Sequence, residues 1–553
     1  MVLRTLVFVG GLLLGITLLA GFLFPRPRVA NAERWAWRAE WTEADEARLA
    51  EIDGEFHTAW DAAELETADE ADSHVLARRL SLALIGTIPS LEELRVFDEL
   101  APEERIDAWT EYLLRDPRHA DYFGERLARS LVGVENGPFL VYRRRRFVHW
   151  LSEQIAQNRP YDELVQQLLT DEGLWTDSPA VNFVTVTLDQ NNDNQPDPIK
   201  LAARTTRAFL GLRIDCLQCH DDNLGTIDLG DEDSQRGGTQ ADFHQLAAFF
   251  GQVRSGLRGV RDLTGEKQED YMVRYLDSSE DEAVEPTVPY RSDLLPHSSD
   301  PRHDLALWVT HPENRPFARA QVNRVWALMC GRPLVEPIDD LPLHGPFPPG
   351  LELLTTDFIE HDFDLRHLIR VIARTEAFRK DSRADFGIGE AHEQAWAVFP
   401  LTRLRPEQIA GSIIQASALS TINSRATVIE RLARFGQQNE FVGRFGDLGE
   451  DEFNMIGGTI PQRLLLMNGD LVRDRARPND LLLNASAQIA RFAPDDAAAI
   501  RVTYMTVLTR EPTADELRVF TERLAGKTGN ERMQEIEDLV WVLMNGSEFF
   551  WNH

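Results

Sequence analysis

At 553 residues the chain exceeds what one hydrophobic core supports, and 43% hydrophobic residues are ample for packing, so at least two globular domains are expected. Its 58 Lys+Arg against 90 Asp+Glu give a net charge of −32, which sets the surface against nucleic acid and anionic membrane surfaces as partners. Three cysteines in the whole chain are too few for a fold stapled by disulfides.

Leu6 to Phe24 is almost wholly apolar, with Arg4 before it and Pro25-Arg26-Pro27-Arg28 behind. These residues are long for the core of a signal peptide and just long enough to span a bilayer. Ala30-Asn31-Ala32 offers the small residues that a signal peptidase accepts. Residues 1–32 are therefore a cleaved signal peptide or an anchor held in the membrane through residues 6–24. Either alternative puts the body in the periplasm or elsewhere outside the cytoplasm, secreted or anchored. Residues 33–69 read as an N-terminal extension.

Helical periodicity dominates from Leu76 onward. Leu76 to Ile85 fits one helix face, and Ser90 three before Glu93 is a capping box that opens the next helix. Pro102 to Leu114, Asp121 to Leu131, Phe147 to Gln157 and Tyr161 to Leu169 continue the pattern. Arg143-Arg144-Arg145-Arg146 is the only dense basic run, either a solvated helix face or a receptor for acidic groups. Val181 to Leu188, rich in β-branched residues, predicts a strand. Asp189, Asn191, Asp193 and Asp197 stand at positions 1, 3, 5 and 9 of a calcium loop, with Asn194 available for the left-handed turn. Lys200 occupies position 12, where a bidentate Glu belongs, so Ca2+ and a plain polar turn both stay open.

A helix from about Pro198 to Arg213 delivers the chain to Cys216-Leu217-Gln218-Cys219-His220. CxxCH is the spacing that attaches a c-type haem. Two thiols about one helical turn apart add to the two vinyl groups of one porphyrin, and the adjoining imidazole reaches the iron. Covalent haem c at Cys216 and Cys219, with His220 as proximal iron ligand, is the expectation. A structural disulfide or a metal half-site at the same residues is the alternative. Asp221 to Ala241 reads as a polar excursion, and Asp242 as the cap of a helix carrying Phe243, Leu246 and Phe249. His244 on that helix is the first choice for sixth iron ligand, Met272 the second. The propionates of such a haem, or an acidic redox partner, are what the Arg143–Arg146 run would receive.

From residue 256 to 300 the pattern weakens and turns acidic, as a linker would. Helices resume at Asp304–Val309, Pro316–Met329, Leu351–Glu360 and Leu365–Ala373, then Pro406–Ser417, Thr427–Arg434, Leu481–Phe492, Asp495–Leu508, Asp515–Ala525 and Asp538–Asn545. Thr513 with Glu516 is another capping box. Cys330 reads as a small buried hydrophobe, and Asn323-Arg324 with Trp326 as a buried polar pair beside an aromatic anchor. His361 and His367, at i and i+6, fall on different faces of a helix and read as polar residues near a helix start. The fold class is mainly α. It comprises two helical domains, residues 70–255 with CxxCH and a small β element, and residues 301–553.

Arg78-Arg79-Leu80-Ser81-Leu82 through Gly86-Thr87-Ile88-Pro89-Ser90, then Asn158-Arg159-Pro160-Tyr161-Asp162, then Phe209-Leu210-Gly211-Leu212 before the motif, resemble an exported cytochrome-like domain of unknown function abundant in planctomycetes. Pro316-Phe317, Val322-Asn323-Arg324-Val325-Trp326, Phe363–Ile369, Arg510–Thr513 and Asn545–Phe549 resemble its usual C-terminal companion. The resemblance implies the haem-c reading and the domain order, and no reaction. Many members read CHDH after the second cysteine. Here Asp222 stands where that second histidine would be, so the family's iron ligation does not carry over unexamined.

The sequence holds no HExxH, GxSxG or phosphate-cradling glycine loop, which leaves open whether the protein is an enzyme. The expectation is an exported c-type haem protein passing electrons to an unidentified redox partner, or the redox subunit of an envelope complex. The alternative is a haem-free extracytoplasmic scaffold or binding module. Nothing in the sequence speaks to oligomeric state.

Overall fold

Helices make up nearly all the regular structure, and strands occur among the described residues only as short two-stranded antiparallel pairs. The computed structural model describes residues 35, 38–134, 142–188, 193–276, 278–422, 440–446, 453, 459–469 and 484–553. The apolar segment 6–24, Asp189, Asn191 and the predicted helix 427–434 lie outside them. Among the described residues no helix is long and apolar enough to cross a membrane.

Capping chemistry fixes the helix starts. Ser90 and Glu93 form the expected reciprocal box before Leu91–Glu99, and Thr513 with Glu516 does the same before Ala514–Leu524. Leu351–Glu360 matches the predicted bounds. The N-terminal extension, residues 33–69, contains a long helix, Glu43–Ala62, boxed by Thr42 and Asp45, which buries Ile52, Phe56 and Trp60. Those apolar residues recur at i, i+4 and i+8, the stripe of a helix that packs on one side.

The predicted strand Val181–Leu188 is a correction. The chain makes a 3-10 turn at Pro179–Val181 and a short helix at Asn182–Thr185. Residues 181–185 are all buried, so no half-exposed pleated face exists for β-branched residues to favour. Asn182 donates to the Pro179 carbonyl and Thr187 to that of Val184, closing the turns locally. The β structure appears elsewhere, at Asp228–Leu229 with Arg236–Gly237, Val253–Gly256 with Gly259–Asp262, Met272–Val273 with Glu282–Ala283, and Thr402–Arg403 with Trp551–Asn552.

One continuous core runs from Trp35 to Phe399. The acidic stretch 256–300 contributes Val260, Val288, Tyr290 and Leu295 to it, so apolar residues spaced along that stretch hold it against the helices. A second core gathers Leu404, Ile409, Ile500, Tyr504, Leu539 and Phe549, and Leu82 and Ile88 join it from the N-terminal half. The helix Ser73–Ile85 lies between the two cores and is buried from Val75 to Ile85, polar residues included. Its Arg78 donates to the Val507 and Phe549 carbonyls, and its Arg79 to those of Phe378 and Lys380. Each guanidinium thereby holds a distant loop end to the N-terminal half.

His119 sits in the first core at 1% exposure and donates its Nδ1–H to the Leu84 carbonyl at 3.1 Å. Burial pushes its pKa down to about 4, so the folded protein holds it neutral. The unfolded chain takes up this proton near pH 6.5, and the folded one only near 4. Its share of stability is therefore complete above pH 6.5 and lost as the pH falls towards 4, to a depth of about 3 kcal/mol. Chemical denaturation at stepped pH should give a correspondingly flatter curve for His119→Gln.

Candidate functional site

The approach to CxxCH is built jointly by both halves of the chain. Asp197 caps the helix Pro198–Thr205, accepting from the Ile199 and Lys200 amides, and the helix widens into a π turn over Thr206–Leu210. It stops at Gly211, with φ +63°. A Cβ there would lie 3.0 Å from Leu341 Cδ1 and 3.2 Å from Ala320 Cβ, while the Leu341 amide donates to the Gly211 carbonyl at 2.7 Å. Only glycine accepts this backbone and this approach together. Gly211→Ala should cost about 2 kcal/mol in denaturant unfolding, the left-handed penalty plus the crowding. Arg324 donates to the Ala208 carbonyl at 2.8 Å, and Arg207 and Arg213 converge on Asp339 at 2.7 and 3.0 Å. Asn323 brackets Val335 through its amide and carbonyl, and Trp326 stacks on Phe56. Asn323, Arg324 and Trp326 are structural, as the sequence suggested.

The motif itself is a single 3-10 turn, Asp215–Gln218. Leu217 is fully buried and pins it, while Cys216, Cys219 and His220 are all exposed and the two thiols are free. The Asp221 carbonyl lies 2.8 Å from His220 Nδ1. Donation from Nδ1–H sets the tautomer that leaves the Nε2 lone pair available. Asp222 accepts from the Leu224 amide at 3.1 Å and the Ile227 amide at 2.6 Å, and the Ile227 hydrogen bond above all holds its carboxyl below the usual range. Asp222 is thus a loop-building carboxylate in this chain.

The helix after the motif starts one turn earlier than read. Its N-cap is Thr239, and Asp242 is the reciprocating third residue of the box, further held by Arg236. The helix Gln240–Ala248 packs on the motif turn, and Gln240 donates to the Gln218 carbonyl and, through its backbone, to Asp221. His244 does fold back to the motif. It is 4% exposed, with Nε2 3.2 Å from the Gln218 carbonyl and Nδ1 3.1 Å from the Tyr271 hydroxyl. Burial lowers its pKa and keeps the ring neutral. Met272 stands next to Tyr271 but is half exposed.

The remaining candidates separate from this centre. Of the calcium set, Asp189 and Asn191 lie outside the described residues. Asn194 does adopt the left-handed turn, at φ +56°. Asp193 accepts from the Gln195 amide and Asp197 caps its helix, so both described carboxylates have backbone donors. In the basic run, Arg144 pairs with Glu125 and Arg143 lies over the Trp175 ring. Cys330 is buried in the helix Arg315–Cys330, and burial pushes its thiol up, out of reach of nucleophilic or redox use.

His361 and His367 are a further correction. The helix Leu351–Glu360 ends at His361 and a second helix, Leu365–Arg374, carries His367, so helical spacing never applied between them. The reversal stacks the rings with centroids 3.6 Å apart, beside Asp45 and Asp357. The sequence reading missed Asp45 and Asp357. The Thr42/Asp45 capping box was the one signal available for the former.

Residues 51–255 match the family described as PSCyt2, Protein of unknown function (DUF1549), and residues 301–438 the one described as PSD1, Protein of unknown function (DUF1553). The chain carries a PSCyt2 match followed by a PSD1 match. The two matches stand in the expected order, and the CxxCH turn and His244 both fall in the PSCyt2 domain. Gly211 and Arg207 belong to PSCyt2 and Ala320, Arg324 and Asp339 to PSD1, so the clamp on the approach is a contact between the two family domains. The segments at Arg510–Thr513 and Asn545–Phe549 lie beyond the PSD1 match. No curated protein and no solved structure shows significant similarity to the chain.

Proposed function

We propose that this protein is an exported c-type haem protein that passes electrons to a partner or serves as the redox subunit of an envelope complex. The observation that carries this reading is the pair of free, exposed thiols of Cys216 and Cys219 on one turn, with exposed His220 directly after them. The residues present fit such a group. Each thiol would add its S–H across one vinyl group, forming a C–S bond and passing the proton to the neighbouring vinyl carbon, with no oxidant consumed. His220, its Nδ1 held by the Asp221 carbonyl, offers Nε2. Leu224 and Leu276, 87% and 79% exposed, lie in segments hydrogen-bonded to Asp222 and Gln240 beside the motif, and are apolar surface for a porphyrin to cover. When bound, the haem supplies one-electron chemistry at iron, tuned by its axial ligands and burial. For His244 to serve as the sixth ligand it must exchange its hydrogen bond to Gln218 for the metal.

The haem-free scaffold is the second reading, and the satisfied state of His244, bonded at both nitrogens, favours it. One experiment separates the two. Full-length protein exported in cells with haem-attachment machinery should be red, show a Soret band and weigh one haem more than the apoprotein. Bare apoprotein mass, with a Cys216–Cys219 disulfide or stoichiometric zinc at the motif, would leave the scaffold.

A further inference from the structure

Far from the CxxCH turn, two stretches distant in sequence, one holding Asp45 and the other residues 357–367, bring two carboxylates and two imidazoles together. Asp45 is the third residue of its helix, and Oδ2 is taken by the Thr42 amide at 2.7 Å and hydroxyl at 2.8 Å. Its other oxygen, Oδ1, faces His361 Nε2 at 3.2 Å. Asp357, 1% exposed, meets both rings. Its Oδ2 lies 2.9 Å from His367 Nε2, and its backbone carbonyl 2.9 Å from His361 Nδ1. Asp45 is 7% exposed and His367 9%.

We propose that Asp45, His361 and His367 bind one divalent transition-metal ion, zinc by ligand class, with Asp357 orienting His367 through its carboxylate and His361 through its backbone carbonyl. The first support is convergence. An oxygen of Asp45 and a nitrogen of each ring all lie within 4.8 Å of one another. Zinc bonds of about 2.0–2.1 Å place tetrahedral ligand atoms roughly 3.4 Å apart, so the widest pair closes by at most about 1.5 Å. The His361 side chain is 37% exposed, so the cluster lies open to solvent on that side.

The second support is the tautomer that Asp357 imposes. Donation from His367 Nε2–H and His361 Nδ1–H to this one residue leaves His367 Nδ1 and His361 Nε2 as the lone-pair nitrogens. Ligating histidines in metal sites are held in this way by a carboxylate or carbonyl behind them. The third support is charge: Asp45 and Asp357 are both largely buried, and a divalent cation bound at the ring nitrogens would place positive charge beside both carboxylates. Two histidines and a carboxylate suit a transition metal, and the all-oxygen shell that Ca2+ or Mg2+ prefers is absent from the cluster.

Asp45 precedes the PSCyt2 match, whereas Asp357, His361 and His367 lie within PSD1, so the ion would fasten the N-terminal helix to the PSD1 domain. This inference does not depend on haem. Its test uses full-length, tag-free protein carrying Cys216→Ser and Cys219→Ser, which removes the other metal-binding thiols. Stripped with chelator and titrated with ZnCl2 in a calorimeter, it should bind one equivalent. His361→Ala and Asp45→Asn, each checked for folding by circular dichroism, should weaken that binding by about 100-fold. CoCl2 added to the protein with the cluster intact should produce visible d–d absorption of a nitrogen- and oxygen-ligated ion, a readout that needs no cluster variant. Absence of stoichiometric zinc and of cobalt absorption, or binding that folded His361→Ala and Asp45→Asn leave within twofold, would overturn the proposal.

Discussion

Exported protein carrying both Cys216→Ser and Cys219→Ser should be colourless and sit at its apoprotein mass, while the parent carries one covalent haem. The reason lies in the chemistry of attachment. A serine hydroxyl does not add to a vinyl group under conditions where a thiol does, so removing both sulfurs removes both bonds at once. Either single substitution should leave one thioether, a lower yield and a shifted pyridine-haemochrome band, because one vinyl group stays unsaturated. Neither serine disturbs packing, since both thiols are exposed and Leu217, the residue that pins the turn, is untouched. The substituted proteins should therefore keep the helical circular dichroism and melting profile of the unsubstituted apoprotein. His220→Ala should retain the thioethers but lose the proximal nitrogen, giving a stained band on a denaturing gel with an altered spectrum. In the otherwise unsubstituted protein His244→Gln tests the sixth ligand, since glutamine keeps a donor for the Gln218 carbonyl but supplies no imidazole. An unchanged low-spin spectrum would remove His244 from the iron. Covalent haem persisting in the double serine variant would defeat the assignment of the motif altogether.

Arg79→Ala should destabilise the fold by about 3–5 kcal/mol, read as a lower midpoint in denaturant. The guanidinium is fully buried, lies 3.4 Å from the centre of the Phe399 ring, and donates to the Phe378 and Lys380 carbonyls. Burial lowers its pKa to about 9, which still leaves it charged at neutral pH. Truncation strands one buried and one partly buried carbonyl, opens a cavity and removes the cation from the ring, three losses that fall on one site. Arg79→Met restores most of the volume and none of the donors, so it should recover only the cavity share. Arg79→Lys keeps charge but offers a compact ammonium where two carbonyls need a planar fork, and should also fall well short of the parent. Because Phe378 and Lys380 belong to the PSD1 match and Arg79 to PSCyt2, the loss should appear in a transition shared by both domains.

Much of this molecule was legible in one dimension. Helices with strong caps came through within a few residues, since the capping box and the apolar stripe are properties of adjacent residues. The CxxCH spacing is visible in the sequence alone, and Asn194 announced a left-handed turn that the backbone adopts. His244 was placed beside the motif from nothing more than helix order. Where local preference met tertiary burial, local preference lost. Val181–Leu188 has the composition of a strand, yet residues 181–185 are wholly buried and the stretch coils into short helical turns. The acidic stretch 256–300 has the polarity of a linker, but its scattered Val260, Val288, Tyr290 and Leu295 suffice to bind it into the first core.

The amino-acid order by itself determined the mainly helical class, the family pair, the paired thiols with their histidine, and the inertness of Cys330 as a lone apolar-flanked thiol. These features rest on composition, period and spacing, which act between neighbours along the chain. Only the tertiary structure decided which carboxylates meet which imidazoles. Asp45 and His361 are far apart in sequence and 3.2 Å apart in space, because the helices that carry them share the Trp35–Phe399 core, and no periodicity records a contact made by chain reversal. The same packing made Gly211 obligatory and left His244 bonded at both nitrogens, since each depends on what a distant segment presents at that point.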